Sequence, residues 1–270
     1  KFNLNIDLKN ILVTGSSGYI GSGFKKYLEK SNFDELNLHT LNRSGKSDYN
    51  LDLNDKDKLS EILFKIKPNY ILHLAAFVNP KMNEENHEKS KNDNFLATKN
   101  LVDSIKDYNP TLIFTSTDKV YDGLNPKPRE NECLNPTFMY GKMKLDAENY
   151  IKKHIKKYFI FRVPIVHGFG ETSSSFIDKS INDLISGKKV KSFSNVYRCY
   201  ILLEDLYKLF ILSLSSNDYG IYNCGTDAAS YYERIQILCK KINLNTTNLF
   251  DEKGNVSPLI QDLNRDKISQ

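Results

Sequence analysis

The 270-residue sequence has little cysteine, little arginine and no long hydrophobic run, and each shortage removes a class of function. The longest apolar runs are about five residues, such as Tyr70-Ile71-Leu72 leading into Leu74-Ala75-Ala76. None approaches the roughly 20 residues needed to span a bilayer. Nothing near Lys1 reads as a charged segment followed by a long apolar core, so a signal peptide is not expected. Cys133, Cys199, Cys224 and Cys239 form no C-x-x-C pair, and no histidine accompanies them at a zinc-like spacing. Four reduced thiols in a cytoplasmic protein, without a metal, are expected. Arginine occurs only at positions 43, 129, 162, 198, 234 and 265, so the net charge of +5 is a diffuse lysine balance. Nucleic-acid binding needs clustered arginine and lysine with stacking aromatics. The one dense cluster, from Lys152 to Lys157, reads as the solvated end of a helix. A diffuse positive field still favours anionic small molecules such as nucleotides.

What is present is ordinary for a globular chain: 40% apolar and 26% charged residues. The length fits one large α/β unit, or one domain plus a small lobe. Asn10 to Val13 reads as a strand, followed by a glycine-rich turn and a helix to about Lys30. Leu36 to Leu41 and Tyr49 to Asp52 are further strands. Asp57 to Ile66 has Leu59, Ile62, Leu63 and Ile66 at helical spacing, ended by Pro68. Tyr70 to Leu74 is a strand, Asp93 to Lys106 a helix and Leu112 to Thr115 a strand. Tyr140 to Lys153 is a helix and Phe159 to Arg162 a strand. This rhythm implies right-handed crossovers and a parallel sheet. After Pro164 the pattern loosens. Gly168, Gly170 and Ser173-Ser174-Ser175 read as a loop. Helices follow over Phe176–Ser186 and Glu204–Leu214, then a strand at Ile221–Asn223. Ser230 and Glu233 form a capping-box start for a helix to about Ile242. The tail from Asn243 is polar and weakly patterned.

Three motifs carry chemistry. Gly15-x-x-Gly18-x-x-Gly21 follows the first strand and opens the first helix, which is the context such a triplet needs. Its glycines would allow a tight turn, close backbone approach to a pyrophosphate, and close helix–strand packing, with the helix N-terminus facing the negative charge. Gly15, Ser17, Gly18, Tyr19 and Ile20 are candidate cofactor contacts. At the end of the second strand an acid would bind the ribose 2′-hydroxyl of NAD; Asn42 and Arg43 stand there instead. Arg43 is placed to meet the 2′-phosphate of NADP. Asp52 and Leu53 are placed to meet the adenine edge. Tyr140-x-x-x-Lys144 is the only such pair in the sequence, and i, i+4 spacing on a helix puts both side chains on one face. A nearby ammonium is expected to bring the phenol pKa down from about 10, as a general acid or base for a carbonyl/alcohol pair requires. Ser116, Thr117 and Asp118 end a strand, in the crevice where doubly wound sheets bind ligands.

These residues, with His73-Leu74-Ala75-Ala76, Asn94 and Arg162-x-Pro164, occur in the order of the extended short-chain dehydrogenases/reductases, which the sequence resembles over most of its length. Ser116-Thr117-Asp118-Lys119-Val120-Tyr121-Asp122-Gly123 and Tyr140-Gly141-Lys142-Met143-Lys144-Leu145 are most similar to the dTDP-4-dehydrorhamnose reductase branch. The resemblance implies an α/β fold: a Rossmann-type doubly wound parallel sheet with a small C-terminal α/β substrate lobe. Residues 1–163 would bind the dinucleotide. Residues 164–270 would form the smaller substrate-binding lobe, some segments returning to the first unit. It implies Thr117 holding the substrate carbonyl oxygen, Tyr140 as proton donor, and Lys144 binding the nicotinamide ribose and tuning Tyr140. Ala75, Ala76, Asn94, Val163 and Ile165 would belong to the cofactor cleft. Val78, Thr117, Asp118 and Arg198 would belong to the substrate side, Arg198 toward nucleotide-sugar phosphates. The implied cofactor is NADPH or NADP, with NAD as the alternative. The implied partners are a nucleotide-diphosphate sugar and a second copy of the chain, packed through the helices Asp93–Lys106 and Tyr140–Lys153.

Departures from related branches sort the reaction. A 4,6-dehydratase is expected to have Asp-Glu after the threonine; this sequence has Asp118-Lys119. A 4-epimerase usually has the acid that Asn42 replaces. An epimerase/reductase of the GDP-fucose-synthase type needs a cysteine and a histidine beside the tyrosine, and Cys133 and His167 do not match. His167 replaces a tyrosine common in that loop and reads as a satisfied loop histidine rather than a cleft residue. The leading expectation is NADPH-dependent reduction of the keto group of a nucleotide-activated 4-keto-6-deoxy sugar, in deoxysugar biosynthesis for surface polysaccharide. The alternatives are a 4-epimerase or C3-keto reductase, and a non-catalytic NADP-binding regulatory subunit like the beta subunit of methionine adenosyltransferase. The intact Thr117, Tyr140 and Lys144 set argues against the last.

Overall fold

Alternation in the first strand decides how the layers form. β1 (Lys9–Thr14) sends Ile11 and Val13 to one face and Leu12 to the other. The computed structural model describes residues 9–31, 33, 35–125, 127–168, 175–255 and 260–268; Gly170, Ser173 and Ser174 lie outside the described residues. From β1 the chain runs through α1 (Tyr19–Lys30), β2 (Leu36–Asn42), β3 (Tyr49–Asn50), α2 (Lys56–Ile66) and β4 (Tyr70–His73). Then come α3 (Pro80–Glu85), α4 (His87–Lys91), a π-helical turn (Asn92–Leu96) and α5 (Ala97–Ile105). β5 (Thr111–Thr117), a 3₁₀ turn (Asp118–Val120), α6 (Met139–His154), β6 (Tyr158–Val163) and β7 (Ile165–His167) follow. The remainder holds α7 (Phe176–Ile185), β8 (Val190–Phe193), β9 (Tyr197–Arg198), β10 (Tyr200–Leu202), α8 (Leu203–Ser215) and β11 (Gly220–Asn223). It closes with β12 (Ala229–Ser230), α9 (Tyr231–Lys241), β13 (Leu249–Glu252) and β14 (Ile260–Gln261).

Among the described residues seven strands form one parallel sheet in the order β11-β6-β5-β4-β1-β2-β3. This is a Rossmann-type α/β sheet. The order reverses between β1 and β4, the switch point where such sheets open a crevice beyond the strand C-termini. One face is covered by α1 and α8, whose Phe24, Leu28, Leu206 and Phe210 pack on Ile11, Val13 and Phe161. On the other face, Leu59, Leu63, Leu101, Val102, Ile105, Ala147 and Ile151 of α2, α5 and α6 pack on Leu12, Ile71 and Phe114. β5 is buried along its whole length, as a central parallel strand covered on both faces should be. Each fully buried Leu, Ile or Phe contributes about 1.5–3 kcal/mol relative to exposure. A third core joins α7 and α9 through Ile177, Ile181, Leu184, Ile235 and Leu238. α8 and β11 return from this C-terminal part to the main sheet. Among the described residues no helix is long and apolar enough to cross a membrane.

Three expectations are corrected. The helix expected over Asp93–Lys106 is only the last part of a broken helical run. Asn79 caps α3 with Pro80 at its first position, Asn86 caps α4, and the π-helical turn then inserts an extra residue before α5. The third strand stops at Asn50, because Asp52 turns back to accept from the Asn54 backbone N–H at 2.9 Å. The weakly patterned tail is also structured: β13 pairs with β8, and β14 with β9.

Candidate active site

Gly15 leaves β1 at φ +70°, and a Cβ there would lie 2.6 Å from the Ala75 backbone nitrogen. Only glycine lets this turn press against the end of β4. Gly18 begins α1 with no side-chain cap, and the first turn of that helix holds no acid. The loop is braced from β2. Asn42 Oδ1 accepts from the Ser16 hydroxyl (3.1 Å) and the Ser17 N–H (3.0 Å), leaving its buried Nδ2 without a partner among the described residues.

Gly15, Ser17, Gly18, Asn42, Arg43, Asp52, Leu53, Ala75 and Ala76 wall one cavity of about 470 Å³. A second, of about 440 Å³, shares Gly15, Gly18 and Ala76 and adds Tyr19, Ile20, Val78, Thr117, Asp118, Tyr140, Val163 and Ile165. The third, of about 510 Å³, shares Tyr140 and Lys119 with the second and reaches Arg198. The first and second cavities thus share the glycine loop, and the second and third share Tyr140.

Two candidates are held by neighbouring side chains or backbone. Asn94 is buried behind the wall: its Oδ1 accepts from the Phe77 N–H (2.8 Å), and its Nδ2 donates to Phe77 O (3.1 Å) and Asn83 Oδ1 (3.0 Å). With its amide used on both sides, it holds the loop after β4 rather than facing the cleft. Arg43 lines the first cavity but is clamped, with Nη2 2.6 Å from Asp93 Oδ1 and Nε 3.1 Å from Asp52 Oδ2. Asp93 holds its guanidinium above the ordinary arginine range.

The candidate proton-handling residues sit where β5 meets α6. Gly141 lets α6 pack on the preceding turn, because a Cβ there would lie 2.2 Å from the Lys119 carbonyl oxygen. Lys144 is 1% exposed, and its Nζ stands 3.9 Å from the Phe114 ring centre. Burial pushes the ammonium down to about 7, with Glu148 opposing. Tyr140 does not behave as its spacing from Lys144 suggested. Burial, and then the Asp118 carboxylate, raise the phenol above its ordinary value. A phenolate there would lose its solvation and face the Asp118 carboxylate, so the protonated form is favoured. Beneath them His73 is fully buried, with Nδ1 2.6 Å from Thr14 Oγ1 and Nε2 2.9 Å from Thr98 Oγ1. Burial, then the Lys144 charge, push it down to about 3, so it is neutral.

A buried network supports Thr117. Ser116 donates to Glu148, which pairs with Arg162 at 2.8 Å with both side chains fully buried. Arg162 also donates to the Tyr121 hydroxyl (2.6 Å), which donates to Asn223 Oδ1 (2.9 Å). Thr117 itself donates to Asp118 Oδ1 at 3.2 Å. His167 is buried in β7, and its Nε2 accepts from Arg234 Nη2 at 2.6 Å. It is half satisfied, because its Nδ1 has no partner among the described residues. Among the described residues no group of three His, Cys, Asp or Glu side chains converges to hold a metal.

The sequence model of the RmlD substrate binding domain matches residues 9–249. The chain belongs to that family. It is 27% identical over 256 residues to the dTDP-D-glucose 4,6-dehydratase of Dictyostelium discoideum, covering 82% of this chain and 59% of the relative. It is 33% identical over 160 residues to methionine adenosyltransferase 2 subunit beta of Danio rerio, covering 59% of this chain and 49% of the relative. The chain thus spans only about half to three-fifths of these curated relatives. In fold it is similar to the dTDP-4-dehydrorhamnose reductase of Bacillus anthracis solved with NADP: TM-score 0.87, 20% identity, 98% of this chain and 92% of that chain covered.

Three features of this RmlD-family cleft escaped sequence reasoning. Lys119 lines the second and third cavities and donates to Gln261 Oε1 at 2.7 Å. Burial lowers its ammonium, Asp118 opposing. Gln261 in turn donates to the Asp118 carbonyl at 2.9 Å, so β14 straps the turn after β5. These partners are 142 and 143 residues apart, and no local pattern signals them. The aromatic wall of the third cavity, Phe138, Phe176, Phe193 and Tyr231, comes from four separate segments. Lys89 and Asp93 complete the rim of the first cavity.

Proposed function

We propose that this RmlD-family chain is an NADPH-dependent reductase of the keto group of a nucleotide-activated 4-keto-6-deoxy sugar. The observation that carries the reading is continuity: Tyr140 stands on the wall shared by the cavity that begins at the glycine loop and the cavity that ends at Arg198. The residues fit a dinucleotide. An uncapped helix N-terminus without acids faces a turn where a Cβ would collide, and Asn42 offers a buried donor unpartnered among the described residues. Gly15, Ser17, Gly18, Asn42 and Ala75 would hold the adenosine and phosphates; Tyr19, Ile20, Val163 and Ile165 would hold the other end. A nicotinamide held there would supply a hydride to the carbonyl carbon. Thr117 hydrogen-bonds the carbonyl oxygen. Tyr140, kept protonated by burial and Asp118, donates the proton that the new alkoxide takes. Lys144, which releases its proton near neutrality, restores the proton of Tyr140. Arg198, 7% exposed, and Lys119 offer positive charge to the substrate's phosphates. On this reading residues 1–163 bind the dinucleotide and 164–270 mostly hold the substrate, with α8 and β11 returning to the main sheet. The working form is a cytoplasmic homodimer.

The likeness to the Danio rerio regulatory subunit favours one second reading, a non-catalytic NADP-binding subunit. Both readings meet one experiment: NADPH oxidation with a panel of dTDP-, UDP-, GDP- and CDP-4-keto-6-deoxyhexoses. Turnover with at least one member, reduced about 10²–10⁴-fold in Tyr140→Phe, is the expected result. No turnover on any of them, together with tight NADP binding, hands the case to the regulatory reading.

A further inference from the structure

Both cations at the adenosine end of the cleft are held by one carboxylate. Arg43 Nη2 donates to Asp93 Oδ1 at 2.6 Å, and Nη1 donates to Oδ2 at 3.3 Å. Lys89 Nζ donates to Oδ2 of the same residue at 2.7 Å. Asp52 takes the remaining edge of the guanidinium. All four side chains line the first cavity, and the Asp93 side chain is only 10% exposed. Burial would raise its carboxyl, but the hydrogen bonds from Arg43 and Lys89 outweigh this and hold it below the ordinary carboxylate range. Both residues lie in the π-helical turn: Asp93 faces Arg43, and the next residue, Asn94, faces Phe77.

We propose that Asp93 is a specificity-determining residue, a resident anion that competes with the 2′-phosphate of NADP for Arg43 and Lys89 and so limits the preference for NADP over NAD. The proposal rests on reading the cleft as a dinucleotide site. A 2′-phosphate carries about −1.5 to −2 charges near neutral pH. To be bound by Arg43 it must take over hydrogen bonds that Asp93 now accepts bidentately. It must do so beside two carboxylates, Asp52 and Asp93, and like charges brought together this way are costly. A 2′-hydroxyl meets no such competition, and Asp52 accepts its hydrogen bond. Asp93→Asn keeps the shape but removes the charge and one acceptor oxygen, which loosens the hold on both cations.

The test is titration of NADPH and NADH by nicotinamide fluorescence at fixed ionic strength, with the Tm of each ligand-free variant recorded. Asp93→Asn is expected to tighten NADPH by about tenfold or more and to change NADH less than about threefold. Lys89→Met, which leaves Asp93 in place, is expected to weaken NADPH selectively. An unchanged NADPH-to-NADH ratio in a folded Asp93→Asn, or weaker NADPH binding by it, overturns the proposal and leaves the dinucleotide reading standing. Should Asp93→Asn fail to fold, an unchanged ratio in Lys89→Met overturns it equally. Wild-type protein that binds neither nucleotide overturns both.

Discussion

Replacing Glu148 by glutamine tests whether the floor beneath Thr117 rests on a buried charge pair. Arg162 donates to Glu148 through Nη2 (2.8 Å) and Nε (3.2 Å), and neither side chain has any exposure. The glutamine variant keeps the size and one acceptor oxygen but removes the negative charge and turns an NH₂ toward the donors of Arg162. The guanidinium is then an uncompensated buried cation, and breaking such a pair from one side costs about 3–5 kcal/mol. Domains are stable by about 5–15 kcal/mol in all, so the loss is a large fraction. At about 2–4 °C per kcal/mol for a chain near this size, Tm should fall by roughly 6–20 °C. Urea unfolding followed by circular dichroism should show a lower midpoint at unchanged slope. A paired replacement, Glu148→Leu with Arg162→Met, should recover at least about half of the loss, because an apolar pair needs no charge compensation. A Glu148→Gln protein within about 1 kcal/mol of wild type would refute the reasoning, since it would mean that water or a rearrangement already solvates Arg162.

Three further outcomes are expected. Gly15→Ala should lose at least about 1–2 kcal/mol from its left-handed backbone, with more from the contact at 2.6 Å to Ala75; differential scanning fluorimetry with and without NADPH should show a lower Tm and a smaller ligand shift. Lys144 titrates near 7 in the folded protein and near 10.5 when unfolded. The unfolded chain therefore binds more protons between those values, so stability should rise with pH, by on the order of 2 kcal/mol from pH 7 to 9. Urea midpoints across that range should rise in wild type and flatten in Lys144→Met. Of the four free cysteines only Cys133 is exposed. A thiol reagent should therefore label one site per native chain quickly and four after denaturation; two or more fast sites would contradict the burial of Cys199, Cys224 and Cys239.

The glycine triplet, the β5 terminus and the Tyr140–Lys144 pair were legible because each is local. Five or so residues of strand, turn and helix carry the whole signal, and burial on both faces makes the strands read as apolar runs. The broken run over α3, α4 and the π-helical turn was not legible, because hydrophobic periodicity does not register one inserted residue. Nor does spacing alone tell which apolar residues of α5 and α6 the chain keeps for its own core. Ala97, Leu101, Val102, Ile105, Ala147 and Ile151 are taken up by the chain's own core, and the outer side carries the Lys99–Asp103–Tyr150 cluster.

What the sequence determined by itself was the class of chain, the parallel sheet and which segments reach the cleft, because strand period, helix caps and glycine turns are set by neighbours a few residues apart. What only the tertiary structure decided was the state of the groups once there. Arg43 is clamped because Asp93 arrives from 50 residues away. Tyr140 is raised rather than lowered because the fold buries its phenol near the Asp118 carboxylate. Lys119 is fixed by Gln261 from the far end of the chain. Charge and burial act through space, and spacing along a sequence does not encode the distances on which they depend.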